Sequence, residues 1–300
     1  MDNSEITEVA QPSDAPSWLK FLDERIEEER DGLFSESSSY EIVRDLLVAS
    51  EDDDTAVSQA VTKFYGLYKA EAGRQSKMPD HGAGYYLNTI SVIAFEVAPK
   101  VWYASWRHDR ITEFLIAIKD GAAKEFDEED PQFVWIGWGL EAAANESWNA
   151  GHVDTYTAKN SQEPEDVWAG EWFSSCALLA KLFRGGCLDN YGQHWITKDL
   201  ERTFEVCTSG DIKTDAGRQA QVLAAINHIL LAGEVFVKGA KNPLPKWKFE
   251  LNATKWKLWA SKIKEVAETV DETARWDLKD RAQKAYEKMV ELYPEAFSSD

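Results

Sequence analysis

Cysteine is scarce in this 300-residue chain, which contains only Cys176, Cys187 and Cys207. Their number is odd and no two have CxxC spacing, which argues against a disulfide framework. The five histidines form no HExxH pattern, and none pairs with a cysteine at the spacing typical of metal ligands. We therefore expect no metal and no other cofactor, and we expect the thiols to be buried and free. One reactive thiol is the alternative.

Motifs for phosphate binding and acyl transfer are also missing. The sequence has no GxxxxGK[ST] loop, no GxGxxG after a strand and no GxSxG. The acidic motifs with which helical terpene synthases hold Mg²⁺ are incomplete. Ala56 stands where a DDxxD pattern begun at Asp52 requires its last carboxylate. In a second motif begun at Asn145, Asn149 and Val153 replace a serine and a glutamate, so this chemistry is not expected.

Long apolar runs are lacking too. No run approaches the roughly 20 residues that a membrane span needs. The first residues, MDNSEITEVAQPSDAPSW, are polar and acidic, unlike a signal peptide or a basic transit peptide. We therefore expect a cytoplasmic protein with no membrane partner, in which residues 1–13 form a disordered acidic tail.

Basic residues are outnumbered, since 53 acidic residues against 33 lysines and arginines give a net charge of −20. The imbalance is strongest in residues 1–54, which hold 17 acidic and 4 basic residues. Residues 238–264, the basic segment, reverse it with 8 lysines and 1 glutamate. A protein of this charge repels nucleic acids and anionic membranes at long range. An anionic partner would therefore bind locally, at the basic segment.

Helical apolar stripes are what the chain has in abundance. A helix capped by Thr214 carries apolar residues at intervals of four and three: Val222, Ile226, Ile229, Gly233 and Phe236. No segment alternates with period two over β-branched residues. The predicted fold class is therefore all-α, an irregular multi-helix bundle. The polar loop 149–163 would divide it into two helical subdomains, residues 14–150 and 160–300.

Several segments of the C-terminal half carry recognisable helix-packing patterns: EDVWAGEWFSSCALLAKLFRGGCLDNYGQHWITKDLERTFE, AAINHILLAGEVFVK, TKWKLWASKIKEVAE and RAQKAYEKMVEL. Weaker echoes occur in RHDRITEFLIAIK and VWIGWGLEAAANESWN. Through these segments the chain resembles a fungal family of uncharacterised helical proteins, domain of unknown function 3632. The resemblance implies a soluble fungal protein and carries no catalytic residue.

The basic segment interleaves lysines with aromatic residues. Phosphates bind cations and unpaired bases stack on flat rings, so this pattern is typical of nucleic-acid or anion binding. The predicted contacts are Lys246, Trp247, Lys248, Lys255 and Lys257, with Trp256 beside them. The alternative is a helix capped by Thr254 that buries Trp256 and Trp259 and leaves its lysines in solvent.

Three residues are candidates for catalysis. A helix over residues 85–98 would place Tyr85, Thr89 and Glu96 on one edge. A carboxylate among apolar neighbours, as Glu96 is in SVIAFEVA, could act as a general base or bind a cationic group. We assign catalytic roles to Glu96, with Tyr85 beside it, and to His228, at the border of its helix's apolar face. The alternative pairs Glu96 with a Lys or Arg of a neighbouring helix and makes His228 structural.

Substrate contacts are assigned to Thr89, Glu146 and Arg107. Glu146 belongs to the segment NES, and Arg107 would anchor a carboxylate. A surface ion pair is the alternative for Arg107.

Two functions are compatible with these features. The first is a metal-independent enzyme of fungal secondary metabolism. Its most specific form is a transferase that takes an aminoacyl-tRNA at the basic segment and holds a cationic amino acid in an acidic pocket. It would form a peptide bond, as a cyclodipeptide synthase does. The alternative is a non-catalytic helical scaffold whose acidic N-terminal half binds a basic protein.

Overall fold

The computed structural model describes residues 16–31, 35–74, 83–126, 136–150, 163–243 and 250–298, and these contain helices, turns and no strand. The prediction of an all-α multi-helix bundle is confirmed. In chain order the α-helices are α1 (Ser17–Glu29), α2 (Ser37–Val48), α3 (Ala56–Arg74), α4 (Ala83–Val97), α5 (Trp106–Glu125), α6 (Ile136–Ala150), α7 (Glu165–Arg184), α8 (Asp189–Glu201), α9 (Ala216–Lys241), α10 (Ala253–Thr269) and α11 (Leu278–Leu292). A π-helical segment, Arg202–Val206, continues α8. The predicted tail, residues 1–13, lies outside the described residues.

The N-terminal helices pack through the stripes that their sequences predict. α1 follows Pro16 and buries Trp18, Leu22 and Ile26, which recur every four residues. α2 packs between α1 and α3 and also contacts α4. The opposite faces of α1 and α2 carry exposed acidic side chains, among them Asp23, Glu27 and Glu41.

The sequence predicts a helix over residues 111–119 with its cap at Asp109 and its end near Gly121, but helix α5 begins one turn earlier. It starts at Trp106, because the Ser105 side chain accepts a hydrogen bond from the main-chain N–H of His108 at 3.4 Å. Asp109, the predicted cap, lies inside the first turn instead. Its charge suits that position, because the N-terminal end of a helix dipole is positive.

The same helix passes through Gly121, where the sequence predicts its end. The Tyr65 ring of α3 lies against this glycine, and a Cβ atom at residue 121 would be only 3.1 Å from the Tyr65 hydroxyl. That hydroxyl donates to the main-chain oxygen of Ile118. Gly121 therefore marks a close crossing of α3 and α5, and the helix continues to Glu125.

Helices α7 and α9 form the centre of the bundle, with a larger contact than any other described pair of helices. α9 also contacts α8, α10 and α11, and every residue from Gly217 to Ile229 is buried. Its cap is Asp215, one residue after the predicted Thr214; the carboxylate accepts the main-chain N–H of Arg218 at 3.0 Å. Because α9 has neighbours on nearly all sides, its polar residues are enclosed together with its apolar ones.

By length and composition, α9 is the one described helix that could cross a membrane, and 78% of its most apolar stretch is buried inside the bundle. Asn227 and His228 interrupt the apolar residues of this helix, so its sequence contains no continuous apolar run of the length that spans a membrane.

The C-terminal helices cover one side of α9. Trp256 and Trp259 of α10 are fully buried, and the indole N–H of Trp256 donates to the main-chain oxygen of Met289 in α11 at 3.0 Å. α10 begins after Asn252, whose side chain accepts a main-chain N–H of the first turn at 2.9 Å. The cap is thus two residues before the predicted Thr254.

Buried residues from α1 to α6 and from α7 to α11 belong to one continuous hydrophobic cluster. α7 contacts α5 and α6 directly, so helices from the predicted subdomains, 14–150 and 160–300, pack on each other. The division into subdomains stays a prediction, since most of the loop that would separate them, 151–162, lies outside the described residues.

Candidate functional site

Tyr85 and Thr89 lie together on α4, beside the start of α2. The Tyr85 hydroxyl donates to Oε1 of Glu36 at 3.1 Å, and the Thr89 hydroxyl donates to the same oxygen at 3.2 Å. Burial, reinforced by the charge of Glu36, raises the pKa of Tyr85, so its phenol is a neutral donor at physiological pH. The two hydroxyls hold a carboxylate at the N-terminal end of α2, where the helix dipole favours it.

Glu96 makes a different set of contacts. Its Oε2 accepts the Tyr40 hydroxyl at 3.0 Å, and its Oε1 lies 3.7 Å from Nη2 of Arg25. Burial, with the charge of Glu96 second, raises the pKa of Tyr40. The side chain of Glu96 is 35% exposed and therefore partly buried, and its role as a general base stays a prediction. Glu96 joins α4 to α1 and α2, and its ion-pair partner is an arginine of a neighbouring helix.

Arg107, predicted to anchor a substrate carboxylate, is held between helices. Its Nε donates to the main-chain oxygen of Leu47 at 3.1 Å. The guanidinium lies 4.1 Å from the ring centre of Trp106 and 5.5 Å from that of Trp18. Glu146 is exposed on α6, and no described hydrogen bond or ion pair links it to the other candidates. The described contacts therefore do not assemble the predicted substrate residues into one pocket.

The basic segment is described only in part. Three of its predicted contacts lie outside the described residues: Lys246, Trp247 and Lys248. Lys255 is paired, since its ammonium lies against the Glu205 carboxylate and 3.8 Å from that of Glu201. Lys257 is exposed on the same helix, and the described residues offer it no ion pair. Lys257 is thus the one described lysine among the predicted contacts that is open to an anion.

The indoles of α10 have no face available for stacking. Trp256 and Trp259 are both 0% exposed, and the Trp259 indole N–H donates to Oε1 of Glu205 at 2.8 Å. The expectation that Trp256 faces outward with the lysines is therefore wrong. Its spacing from Trp259 turns both rings toward α9 and α11, as the alternative predicts, and leaves the lysines on the solvent side.

His228 belongs to a cluster that spacing along the chain did not predict. Its Nε2 lies 3.0 Å from Oδ2 of Asp199, and the sulfur of Cys176 completes a group of three ligand-type atoms within 4.8 Å of one another. The three residues come from α9, α8 and α7. Oδ1 of Asp199 accepts the Trp148 indole N–H at 3.2 Å. No cysteine and histidine were expected to act together as metal ligands, because none are close to each other in the sequence at a spacing typical of ligands.

This cluster is enclosed and chemically distinctive. Cys176 is 9% and His228 1% exposed, and the Asp199 side chain is 15% exposed. Burial, with the charge of Asp199 second, raises the pKa of Cys176 well above its usual value. The sulfur is therefore a protonated thiol and a poor nucleophile unless a cation is close. Nδ1 of His228 is buried, and the described residues offer it no hydrogen-bond partner. A thiol, a carboxylate and an imidazole are together ligands for a transition metal.

A second buried polar cluster joins α5 to α7. Lys181 is 4% exposed, and its Nζ lies 2.6 Å from the main-chain oxygen of Tyr103, 3.0 Å from Nδ1 of His108 and 2.7 Å from Oδ1 of Asp109. Nε2 of His108 lies 3.0 Å from the main-chain oxygen of Ser174. Because an ammonium only donates and a carbonyl only accepts, His108 is neutral with its proton on Nε2. Burial, with the charge of Lys181 second, lowers the pKa of His108 to about 3.

Arg110 organises the acidic turn, residues 49–54, that follows α2. It is 6% exposed. Its two Nη atoms donate to the main-chain oxygens of Ala49, Ser50, Glu51 and Asp53, at 2.9, 2.5, 3.1 and 3.1 Å. The guanidinium therefore binds the backbone of the turn and not its carboxylates. The side chains of Glu51, Asp52 and Asp54 are exposed, and the described residues offer them no ion pair.

The chain matches no known protein-family model, no curated protein and no solved structure. The resemblance to the fungal helical family therefore stays a prediction. What the protein does has to be argued from the geometry of its own residues.

Proposed function

We propose that this protein is a non-catalytic helical scaffold and that its acidic turn binds a basic segment of a partner protein. The observation that carries the proposal is the way Arg110 holds the turn. The backbone of residues 49–54 is fixed from inside, while Glu51, Asp52 and Asp54 point into solvent without a described counter-charge. A fixed turn loses little conformational freedom on binding, and unpaired carboxylates are complementary to lysine and arginine.

The surface beside the turn favours a partner that is both basic and amphipathic. Val48, the last residue of α2, is 56% exposed next to the acidic turn. Glu41, seven residues earlier, lies on the same helix face and is also exposed. An apolar side chain surrounded by carboxylates suits a segment in which lysines or arginines flank a leucine-like residue.

The contacts of the predicted catalytic residues favour the same function. Glu96 joins α4 to α1 and α2, and Tyr85 and Thr89 join α4 to α2. Arg107 joins α5 to α1 and α2. Hydrogen bonds of this kind contribute to the packing of the bundle. The aminoacyl-tRNA-dependent synthase stays a prediction, and no described contact supports it.

The proposal predicts that binding of a basic amphipathic peptide depends on the acidic turn. The probe is a fluorescein-labelled peptide of alternating lysine and leucine, measured by fluorescence anisotropy at low salt. The test variant carries Glu51→Gln, Asp52→Asn and Asp54→Asn. Exposed charge pairs contribute about 0.5 kcal/mol each, so we expect the Kd to rise about tenfold.

The control variant removes the same charge elsewhere, through Asp271→Asn, Glu291→Gln and Glu295→Gln, all at exposed positions. We expect it to bind the peptide within about twofold of the wild type, because these carboxylates lie outside the turn. Equal weakening by both variants would mean that only net charge matters. Wild-type affinity in the acidic-turn variant would eliminate the turn as the contact.

A further inference from the structure

We propose that Cys176, Asp199 and His228 form a binding site for a divalent transition-metal ion, and that Zn²⁺ fits it best. The site would lie in the core between α7, α8 and α9, although the sequence predicts free thiols and no metal. This inference does not depend on the proposed scaffold function, because the acidic turn is built from other helices.

The geometry needs little change to hold an ion. The three ligand-type atoms already lie within 4.8 Å of one another, and Nε2 of His228 is 3.0 Å from Oδ2 of Asp199. Ligands of tetrahedral zinc stand about 2.0–2.3 Å from the metal, so neighbouring ligands are about 3.3–3.8 Å apart. Side-chain torsions can supply the difference, because the three residues come from three helices already packed together.

The donor set selects the kind of metal. A sulfur, a nitrogen and a single carboxylate are suited to Zn²⁺ and related transition metals. Ca²⁺ and Mg²⁺ prefer sites made of oxygen ligands alone. Three protein ligands leave a fourth tetrahedral position for a water molecule or another small ligand.

Charge balance also favours a doubly charged ion. A thiolate at Cys176 and a carboxylate at Asp199 carry two negative charges, while the imidazole of His228 is neutral as a metal ligand. A divalent cation would make the enclosed cluster electrically neutral, and charges in a protein core are least costly when they are compensated. Cys176 would release its thiol proton to solvent when the ion binds.

A further contact is typical of a metal site. The Trp148 indole N–H donates to Oδ1 of Asp199 at 3.2 Å, which holds the carboxylate with Oδ2 toward His228. A neutral His228 ring that binds the ion through Nε2 carries its proton on Nδ1, to which the described residues offer no acceptor.

The test uses the full chain, freed of metal with a chelator and then titrated with Zn²⁺ or Co²⁺ alone. With Zn²⁺ at a hundredfold excess over its Kd, we expect the Tm to rise by about 5 °C. With Co²⁺ we expect a sulfur-to-metal charge-transfer absorption in the near ultraviolet and visible bands of a tetrahedral ion.

Two variants locate the ion and one serves as the control. Cys176→Ser should abolish the charge-transfer absorption, and Asp199→Asn, which keeps the size of the side chain, should weaken Zn²⁺ binding at least tenfold. Cys187→Ser is the matched control, because Cys187 is also buried and lies outside the cluster. It should behave like the wild type.

Several results would overturn the proposal. One is a wild-type protein whose Tm does not change when Zn²⁺ is added and whose Co²⁺ spectrum lacks the sulfur-to-metal charge-transfer absorption. Another is Asp199→Asn binding Zn²⁺ as tightly as the wild type. If Cys176→Ser fails to fold, the wild-type Co²⁺ spectrum and Asp199→Asn still decide the matter.

Discussion

Acid should destabilise this protein partly through one residue, His108. In the folded chain its pKa is about 3, because the ring is buried beside the Lys181 ammonium. An unfolded histidine has a pKa of about 6.5. Between these two values the unfolded chain binds a proton that the folded chain does not. The free energy of unfolding therefore falls as the pH falls from about 6.5 toward 3, and this loss is absent above pH 6.5.

The magnitude follows from the two pKa values. Each pH unit within the window costs about 1.4 kcal/mol, so from pH 7.5 to pH 5 His108 alone should remove about 2 kcal/mol. The ring is 0% exposed, so solvent does not weaken the effect. Protonation would also place a cation next to Nζ of Lys181, which now donates to Nδ1 at 3.0 Å.

The assay is urea unfolding, followed by circular dichroism at pH 7.5, 6.5, 5.5 and 5.0. The variant is His108→Gln, whose amide cannot take up a proton in this range. We expect it to be less stable than the wild type at pH 7.5 and to lose about 2 kcal/mol less on going to pH 5. Equal m-values in both proteins would show that the same surface unfolds. Parallel pH profiles for the two proteins would refute the assignment of a neutral, buried His108.

Two further substitutions test how the helices are joined. Arg110→Met removes the donors that bind the turn 49–54, and we expect a loss of about 3 kcal/mol together with faster cleavage after Glu51 by a glutamate-specific protease. An unchanged cleavage rate would show that the turn does not need the guanidinium. Tyr40→Phe removes the hydroxyl that donates to Glu96, and we expect a loss of about 1 kcal/mol in the same unfolding assay. A loss below about 0.3 kcal/mol would mean that water replaces this hydrogen bond fully.

Helix positions were predictable where the apolar residues of a helix form one stripe and its other face is exposed. Trp18, Leu22 and Ile26 recur along α1, and all are buried. Trp256 and Trp259 follow the same logic on α10. The spacing of such apolar residues has the period of an α-helix, and the all-α fold class follows from this spacing.

Helix ends were less predictable, because several residues near each end can act as caps. Ser105 caps α5 although Asp109 is of an equally suitable type, and Asn252 caps α10 although Thr254 is close. Which candidate caps the helix depends on the direction from which the preceding residues approach the helix. At Gly121 a residue that often ends helices provides room for Tyr65.

The candidate site was the least predictable part, because its chemistry depends on residues distant in the chain. The sequence does not show that Glu205 pairs with Lys255, or that Arg25 of α1 is the residue that pairs with Glu96. Cys176 was predicted to be a buried free thiol, and His228 to be a catalytic residue at the border of its helix's apolar face. Only the packing of α7, α8 and α9 brings them to Asp199.

Because Arg110 binds the backbone of the acidic turn, the shape of the turn does not depend on most of the side chains that the turn carries. The guanidinium donates hydrogen bonds to main-chain oxygens, which every residue possesses. Residues 51, 52 and 54 can thus be exchanged while the loop keeps its course, whereas Asp53, which accepts the Thr55 hydroxyl, is constrained. Substitutions at these three positions, natural or engineered, could therefore change which partner the acidic turn binds while the helical bundle stays the same.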